Sequence, residues 1–315
     1  MGSVTNFPFG VSSFGVVLPG STGGPLSVPL PNGQSWFVDA NNGSDGNNGG
    51  SAGEAFRTIG RALQYAGDGT GDTIYVAPGE YNETILVTKD YITIVGMVQA
   101  GYAKPDWGPA NSAECPCKAI GQGFQARHIR FFADGGDVFQ QAGNGFFIND
   151  CVFDGDGTAS KGVRLIPTAY PTSADTSHTA SEGVITGCLF RGCAVGLIFD
   201  TAAAPLGVGS TDNVISNNRF QANTLDIATA DSGSGTYSLK TTDFIGNYFV
   251  DKNKATYVDL TTTNGGAASD QTGTFAMNGF ASDTMTTTKV KAVGTGFTFM
   301  GNYDTVGIFD GSGLD

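Results

Sequence analysis

Four aspartates carry the clearest hint of chemistry in this 315-residue sequence. "FADGGDVF" supplies Asp134 and Asp137, and "FDGDG" supplies Asp154 and Asp156. Two carboxylates on neighbouring turns of chain could divide acid and base or nucleophile roles in glycan cleavage. The same residues in Gly-rich segments also read as solvated turn formers. His128, in "ARHIRF", could act as a general base or could be a structural histidine at a bend, and His178 lies in a Ser/Thr-rich insertion without a recognisable partner. "ECPCK" places Cys115 and Cys117 around one proline; a zinc site would need a second pair at matching spacing, and Cys151, Cys188 and Cys193 are scattered. "DANNGSDG" (39–46) imitates the start of a calcium loop, but Gly50 stands where a bidentate Glu is required, so the segment reads as an Asx-rich turn. No phosphate loop, Ser-His-Asp set or dinucleotide fingerprint appears, and no metal or cofactor is expected.

The elements that must position these residues are strands. With 48 Gly, 22 Phe and only 14% charged residues, the composition is that of a turn-rich all-β chain. A net charge of −13 has the wrong sign for neutralising phosphates, so nucleic acid is not expected as a partner. No run of 18 apolar residues occurs, and the opening "MGSVTNFPFGVSSFGVV" lacks a basic region followed by an apolar one, so neither membrane insertion nor a secretory signal is expected. Residues 1–34 read as an extended arm, with Phe7, Phe9 and Phe14 as anchors for a partner surface, and 35–315 as one domain. A helix is expected at about 52–66, opened by a Ser51/Glu54 capping box and burying Phe56, Ile59, Leu63 and Ala66.

From about 73 to 305 a phrase recurs: "FINDCVF", "VITGCLF", "VISNNRF", "FIGNYFV", "AMNGF" and "FMGNY". Each pairs an apolar residue with Asp, Asn or Gly, types that tolerate the left-handed backbone of a sharp bend. The expected bends are Gly96, His128, Asp150, Gly187, Asn217, Asn247, Asn278 and Asn302, at intervals of 22 to 37 residues. Phe153, Phe190, Phe220 and Val250 follow three residues later, while Cys151 and Cys188 share the position between and are expected to be ladder neighbours. Units this short cannot bury their own apolar face and must stack, which predicts a right-handed parallel β-helix with one N-terminal capping helix.

The run 37–96, "FVDANNGSDGNNGG" through "YITIVG", resembles the opening of pectate-lyase-like right-handed β-helix proteins, in which a helix caps the first coil. The first residues, "VTNFPFGVSSFGVVLPG", are similar to the N-termini of tailed-phage structural proteins, particularly capsid decoration or cement proteins. That resemblance implies a virion protein on the capsid surface, made in the host cytoplasm, trimeric, with the major capsid protein and its own copies as partners. The alternative is a tailspike-like protein that binds or cleaves a surface glycan, with Tyr102, Trp107 and Tyr170 available to stack on sugars. The Asn-Thr-Asp, Gly-Asp-Asp, Gly-His-Gly and Arg-Ile-Lys segments of polygalacturonase-like members are absent as a set, which favours a non-enzymatic protein.

Overall fold

The structure is a computed structural model. It describes residues 33–97, 104–157, 159–166, 180–200, 209–230, 239–251, 254–261, 271–281, 286, 288–292, 295–304 and 307–309, together with the short strands Ser12–Ser13 and Val16–Val17. Phe7, Phe9, Phe14, Tyr102, Tyr170 and His178 lie outside the described residues.

The chain winds as a right-handed parallel β-helix. From Thr73–Val76 onward each coil contributes strands to sheets one, two and three in turn, until the last, which ends in sheet two; the sheets have ten, ten and eight strands. Sheet one runs from Ser35–Val38 to Gly296–Met300, sheet two from Glu80–Asn82 to Ile308–Phe309, and sheet three from Ile85–Val87 to Val290–Lys291. Their described pairings are parallel until the last, where Asn302–Tyr303 and Ile308–Phe309 run antiparallel.

Strict register makes identical residues stack, because a strand spacing of about 4.8 Å is also a good ring-stacking distance. Sheet one sends Ile94, Ala126, Ile148, Ile185, Ile215, Phe244 and Phe275 inward. Sheet two builds an aromatic column: Trp107, Phe131, Phe153, Phe190, Phe220, Phe249 and Phe280, with successive centroids 4.6–5.6 Å apart. Phe153, Phe190 and Phe220 stand in it as the repeat implies, but the next member is Phe249 and not Val250. Trp107 is wholly buried in this column and therefore cannot stack on a sugar.

The repeat's register shifts by one residue in the later coils. Positive φ occurs at His128, Asp150, Gly187 and Asn217, then at Gly246, Met277 and Gly301. Asn247, Asn278 and Asn302 sit one place after the bend, buried, where their amides can bond from coil to coil. Gly96 ends a strand and is not among the positive-φ residues; a Cβ there would lie 2.1 Å from the His128 carbonyl oxygen, so close approach explains this glycine.

The helix is shorter than expected. A 3-10 turn spans Ala52–Glu54, Ser51 makes no side-chain cap, and the α-helix is Ile59–Tyr65. Thr58 caps it by accepting from the Arg61 N–H, and the Glu83 carboxylate accepts the Ile59 and Gly60 N–H groups at 2.8 Å each. Phe56, Ile59, Leu63 and Ala66 are nevertheless the buried face.

Candidate functional site

The four candidate aspartates do not converge on one cleft; the winding sends them to different places. Asp154 ends the sheet-two strand Val152–Asp154. Its Oδ2 takes Arg130 at 2.6 Å and Arg191 at 2.5 Å, and Arg130 reaches on to Asp106 at 3.2 Å. Burial alone would raise the Asp154 carboxyl, but hydrogen bonds from Arg191 and Arg130 hold it below the ordinary carboxylate range. A carboxylate clamped between guanidiniums is a poor proton donor. Asp137 instead serves sheet three, with Arg164 at 3.2 Å and Lys161 at 4.0 Å, and Arg164 also binds Asp200. Asp134 and Asp156 are exposed at the corner between these sheets. The Asp156 N–H donates to Ser160 Oγ.

His128 and Asp150 lie on successive bends. His128 Nε2 is 3.6 Å from Asp150 Oδ2, and Lys104 Nζ lies 2.8 Å from Oδ1 of the same carboxylate. This cluster at the corner between sheets one and two ties successive coils together.

Two carboxyls among the described residues sit above their ordinary range. Burial raises Glu83, the helix cap. Burial also pushes Asp226 up to about 6 despite Lys254, whose Nζ stands 2.6 Å from Asp226 Oδ1 and 2.8 Å from Asp251 Oδ2. Asp226 is wholly buried, so its pKa expresses an internal charge and no general acid facing substrate. The sequence pattern hid it: strand alternation in "LDIAT" sets Asp226 on the face opposite Leu225 and the core residue Ile227, where a carboxylate reads as solvated.

The five cysteines are free and buried. Burial raises Cys115 and Cys193 to about 12 and also raises Cys117 and Cys188, which leaves thiols and not reactive thiolates. Cys115 Sγ donates to the Cys117 carbonyl, a local turn contact. Among the described residues no group of three or more His, Cys, Asp or Glu side chains could hold a metal ion. In 39–46 the aspartates are taken up by backbone N–H groups: Asp39 accepts those of Asn41 and Asn42 in its own loop, and Asp45 accepts those of Arg57 and Thr58 at the start of the helix.

The outer face of sheet two carries charged and aromatic side chains in line. In its middle it presents Arg130, Phe132, Asp154 and Arg191, with the Arg130 guanidinium 5.6 Å from the Phe132 ring centre. Further along the same face, Arg219 pairs in register with Tyr248, and Tyr303 lies one coil beyond Gly279; Tyr248 is 37% and Tyr303 46% exposed. Sequence reasoning missed this face because its members are a coil apart in the chain.

Residues 41–99 match the model of a family described as a protein of unknown function, DUF1565, which covers a minor part of the chain. No curated protein matches. Among solved structures, a pectin methylesterase in complex with a hexasaccharide aligns at TM-score 0.49 and 13% identity, over 81% of this chain and 92% of that one. Pectate lyase Pel9A aligns at 0.44 and 12%, over 86% and 80%. The Dettilon tailspike protein aligns at 0.39 and 12%, over 85% and 62%. These proteins share the parallel β-helix architecture.

Proposed function

We propose that this β-helix is a non-enzymatic virion protein that decorates the outer surface of a phage capsid. The observation that carries the reading is a contrast within the chain. Residues 1–34 contain no Asp, Glu, Lys or Arg although the whole protein has a net charge of −13. An uncharged arm carrying Phe7, Phe9 and Phe14 can enter an apolar groove or strand edge on the major capsid protein without stripping water from ions. The acidic body stays solvated outside. In a homotrimer three such arms bind together, and effective concentration turns weak contacts into durable attachment. The locked state of Asp137 and Asp154 supports a structural role.

Isolated capsids incubated with full-length protein should bind it, and protein lacking residues 2–20 should fail to bind while keeping its β-sheet circular dichroism. Undiminished binding of the truncated protein would overturn the role of the arm.

A second reading, a tailspike-like glycan binder or depolymerase, draws on Arg219 and the exposed rings of Tyr248 and Tyr303 on sheet two. Planar side chains in line along a flat sheet suit sugar rings. Release of reducing ends from a capsular glycan, abolished by Asp154→Ala or Asp134→Ala, would establish that reading in place of the first.

A further inference from the structure

The two ends of the β-helix are finished differently. At the N-terminal end the α-helix Ile59–Tyr65 lies over the core and buries Ile59, Ala62 and Leu63. At the other end the last strand of sheet one, Gly296–Met300, pairs with Thr272–Ala276 on one side and, among the described residues, with no strand on the other. Phe297 and Phe299 continue the inner row but are only partly buried. The Gly296 N–H donates to the Gln271 carbonyl and the Met300 carbonyl accepts from Met277, so the outward-facing residues of this strand bond the preceding coil. By alternation, Phe297 and Phe299 aim two N–H groups and two carbonyls past the end of the sheet. Open edges are commonly blunted by Lys, Pro or other charge. From 292 to 303 the chain has no Asp, Glu, Lys, Arg or Pro.

We propose that a second copy of this chain covers this end, with Gly296–Met300 pairing antiparallel with its own counterpart about a two-fold axis through Thr298. Three observations favour that occupant. First, the strand suits itself: centred on Thr298, the register sets Phe297 opposite the second copy's Phe299, and each such pair exchanges both of its free N–H and carbonyl groups. A two-fold axis normal to the sheet keeps both inner faces on the same side. The four phenylalanine rings then close one continuous core.

Second, the end is stepped in a way that complements itself. Among the described residues sheet two runs one strand past the level of Gly296–Met300, to Ile308–Phe309, while sheet three stops one level short of it, at Val290–Lys291. The inner rows of the three sheets touch pairwise, with ring centres 6.4 Å apart for Phe275 and Phe280, 5.0 Å for Phe131 and Phe139, and 5.8 Å for Phe199 and Phe244, so the sheets enclose the core on three sides. Rotation about the axis reverses the winding and exchanges the two flanks of sheet one. The extra strand of sheet two in each copy then meets the level at which sheet three of the other has ended, as an isologous contact requires. Ile308, 78% exposed in the single chain, gains cover there. Third, a net charge of −13 opposes contact between copies over most of the surface, and the uncharged stretch 292–303 is a place where two copies approach without that cost. The end lies opposite Ser35–Val38, where the chain enters the β-helix, so this pairing is independent of the arm.

Two substitutions in the full-length protein test this. Thr298 is exposed on the outer face and meets its own counterpart at the axis, so Thr298→Lys sets two like charges together without touching the core. The end of one β-helix is smaller than a standard interface, so association should grow with concentration. In sedimentation equilibrium at the upper end of a concentration series, the Thr298→Lys protein should have half the mass of the wild type, with the same β-sheet circular dichroism. Halving is expected whether the paired units are single chains or trimers. Thr298→Cys, with the native thiols buried, should form a disulfide between two chains under oxidised glutathione, because directly opposed residues of this kind have Cα atoms about 4.5 Å apart. Thr274→Cys lies in the same outer row one coil back, about 14 Å from its counterpart at three strand spacings, and should not. Equal masses for wild type and Thr298→Lys at every concentration, or equal crosslinking at 298 and 274, would overturn the pairing. Neither readout depends on capsid binding.

Discussion

The residue after each left-handed bend occupies one continuous column, and its two halves solve the same problem with different chemistry. In the later coils the column is Asn218, Asn247, Asn278 and Asn302; earlier it is Cys151 and Cys188, preceded by Ile129. Asn247 Oδ1 accepts the Asn218 N–H at 3.0 Å and the Asn218 Nδ2 at 3.1 Å, while its own Nδ2 donates to the Ile215 carbonyl at 2.8 Å and to Asn278 Oδ1 at 3.0 Å. The thiol half mimics this weakly: Cys188 Sγ accepts the Cys151 N–H at 3.4 Å and lies 3.9 Å from the Ile148 carbonyl. A tight bend leaves buried backbone groups that the sheets cannot pair. An amide satisfies them fully and a thiol only in part.

The sharpest way to break the comparison is Asn247→Ala, which orphans two donors of Asn218 and the Ile215 carbonyl in a dry column. A loss of about 4 kcal/mol is expected, since each buried unsatisfied group costs roughly 1–3 kcal/mol. Chemical denaturation would measure it, and a loss under about 1 kcal/mol would mean that the ladder is ornamental.

The neighbouring corner carries a shorter version that ends on a charge. Asn223 Oδ1 accepts the Cys193 N–H at 3.0 Å, and its Nδ2 donates to the Phe190 carbonyl and to Asp226 Oδ1. Burial raises Asp226 from 3.8 to about 6. A raised folded pKa means that the group's stabilising contribution is fully present below the unfolded value near 4 and is lost as pH rises through about 6. The wild type should therefore lose on the order of 3 kcal/mol from this group across that window, at 1.36 kcal/mol per pKa unit. Asp226→Asn should flatten that part of the stability profile. An unchanged slope between pH 4 and 6 would show that Lys254 compensates the carboxylate completely.

Why the ladder could be half read from sequence follows from Asn itself. Asparagine tolerates the left-handed backbone and is also the best ladder residue, so "SNN" and "IGN" look alike in a linear alignment. In the first, Asn217 takes the bend; in the second, Gly246 takes it and Asn247 moves into the column. The stacking phenylalanines were legible because apolar periodicity needs no partner. The carboxylates misled for the opposite reason. Asp137 and Asp154 are close in the chain, but their partners Arg164, Arg130 and Arg191 lie a coil or more away, and only the winding assigns the two aspartates to different sheets.

A smaller change sharpens the comparison from the thiol side. Cys188→Asn should extend the amide ladder by one coil, replacing the 3.4 Å sulfur contact to the Cys151 N–H with an oxygen acceptor and offering a true donor to the Ile148 carbonyl. A gain of about 1 kcal/mol is expected, the net value of one good hydrogen bond. Destabilisation in thermal unfolding would mean that the earlier coils are too narrow for an amide and that thiols were retained for volume.

The weakest expected effect separates the bend from the ladder. Met277 holds a φ of 55° with its side chain 64% exposed, while its amide donates to the Met300 carbonyl. Gly246 and Gly301 occupy the equivalent places in the flanking coils. A left-handed non-glycine residue costs roughly 1–2 kcal/mol, but glycine returns about 0.5–1 kcal/mol of that through its greater unfolded freedom. Met277→Gly should therefore stabilise by only about 0.5 kcal/mol, read as a small rise in denaturation midpoint with an unchanged slope. A loss instead would show that the exposed methionine side chain contributes packing that outweighs its backbone strain. The bend position would then be chosen by what surrounds it, as the ladder position is.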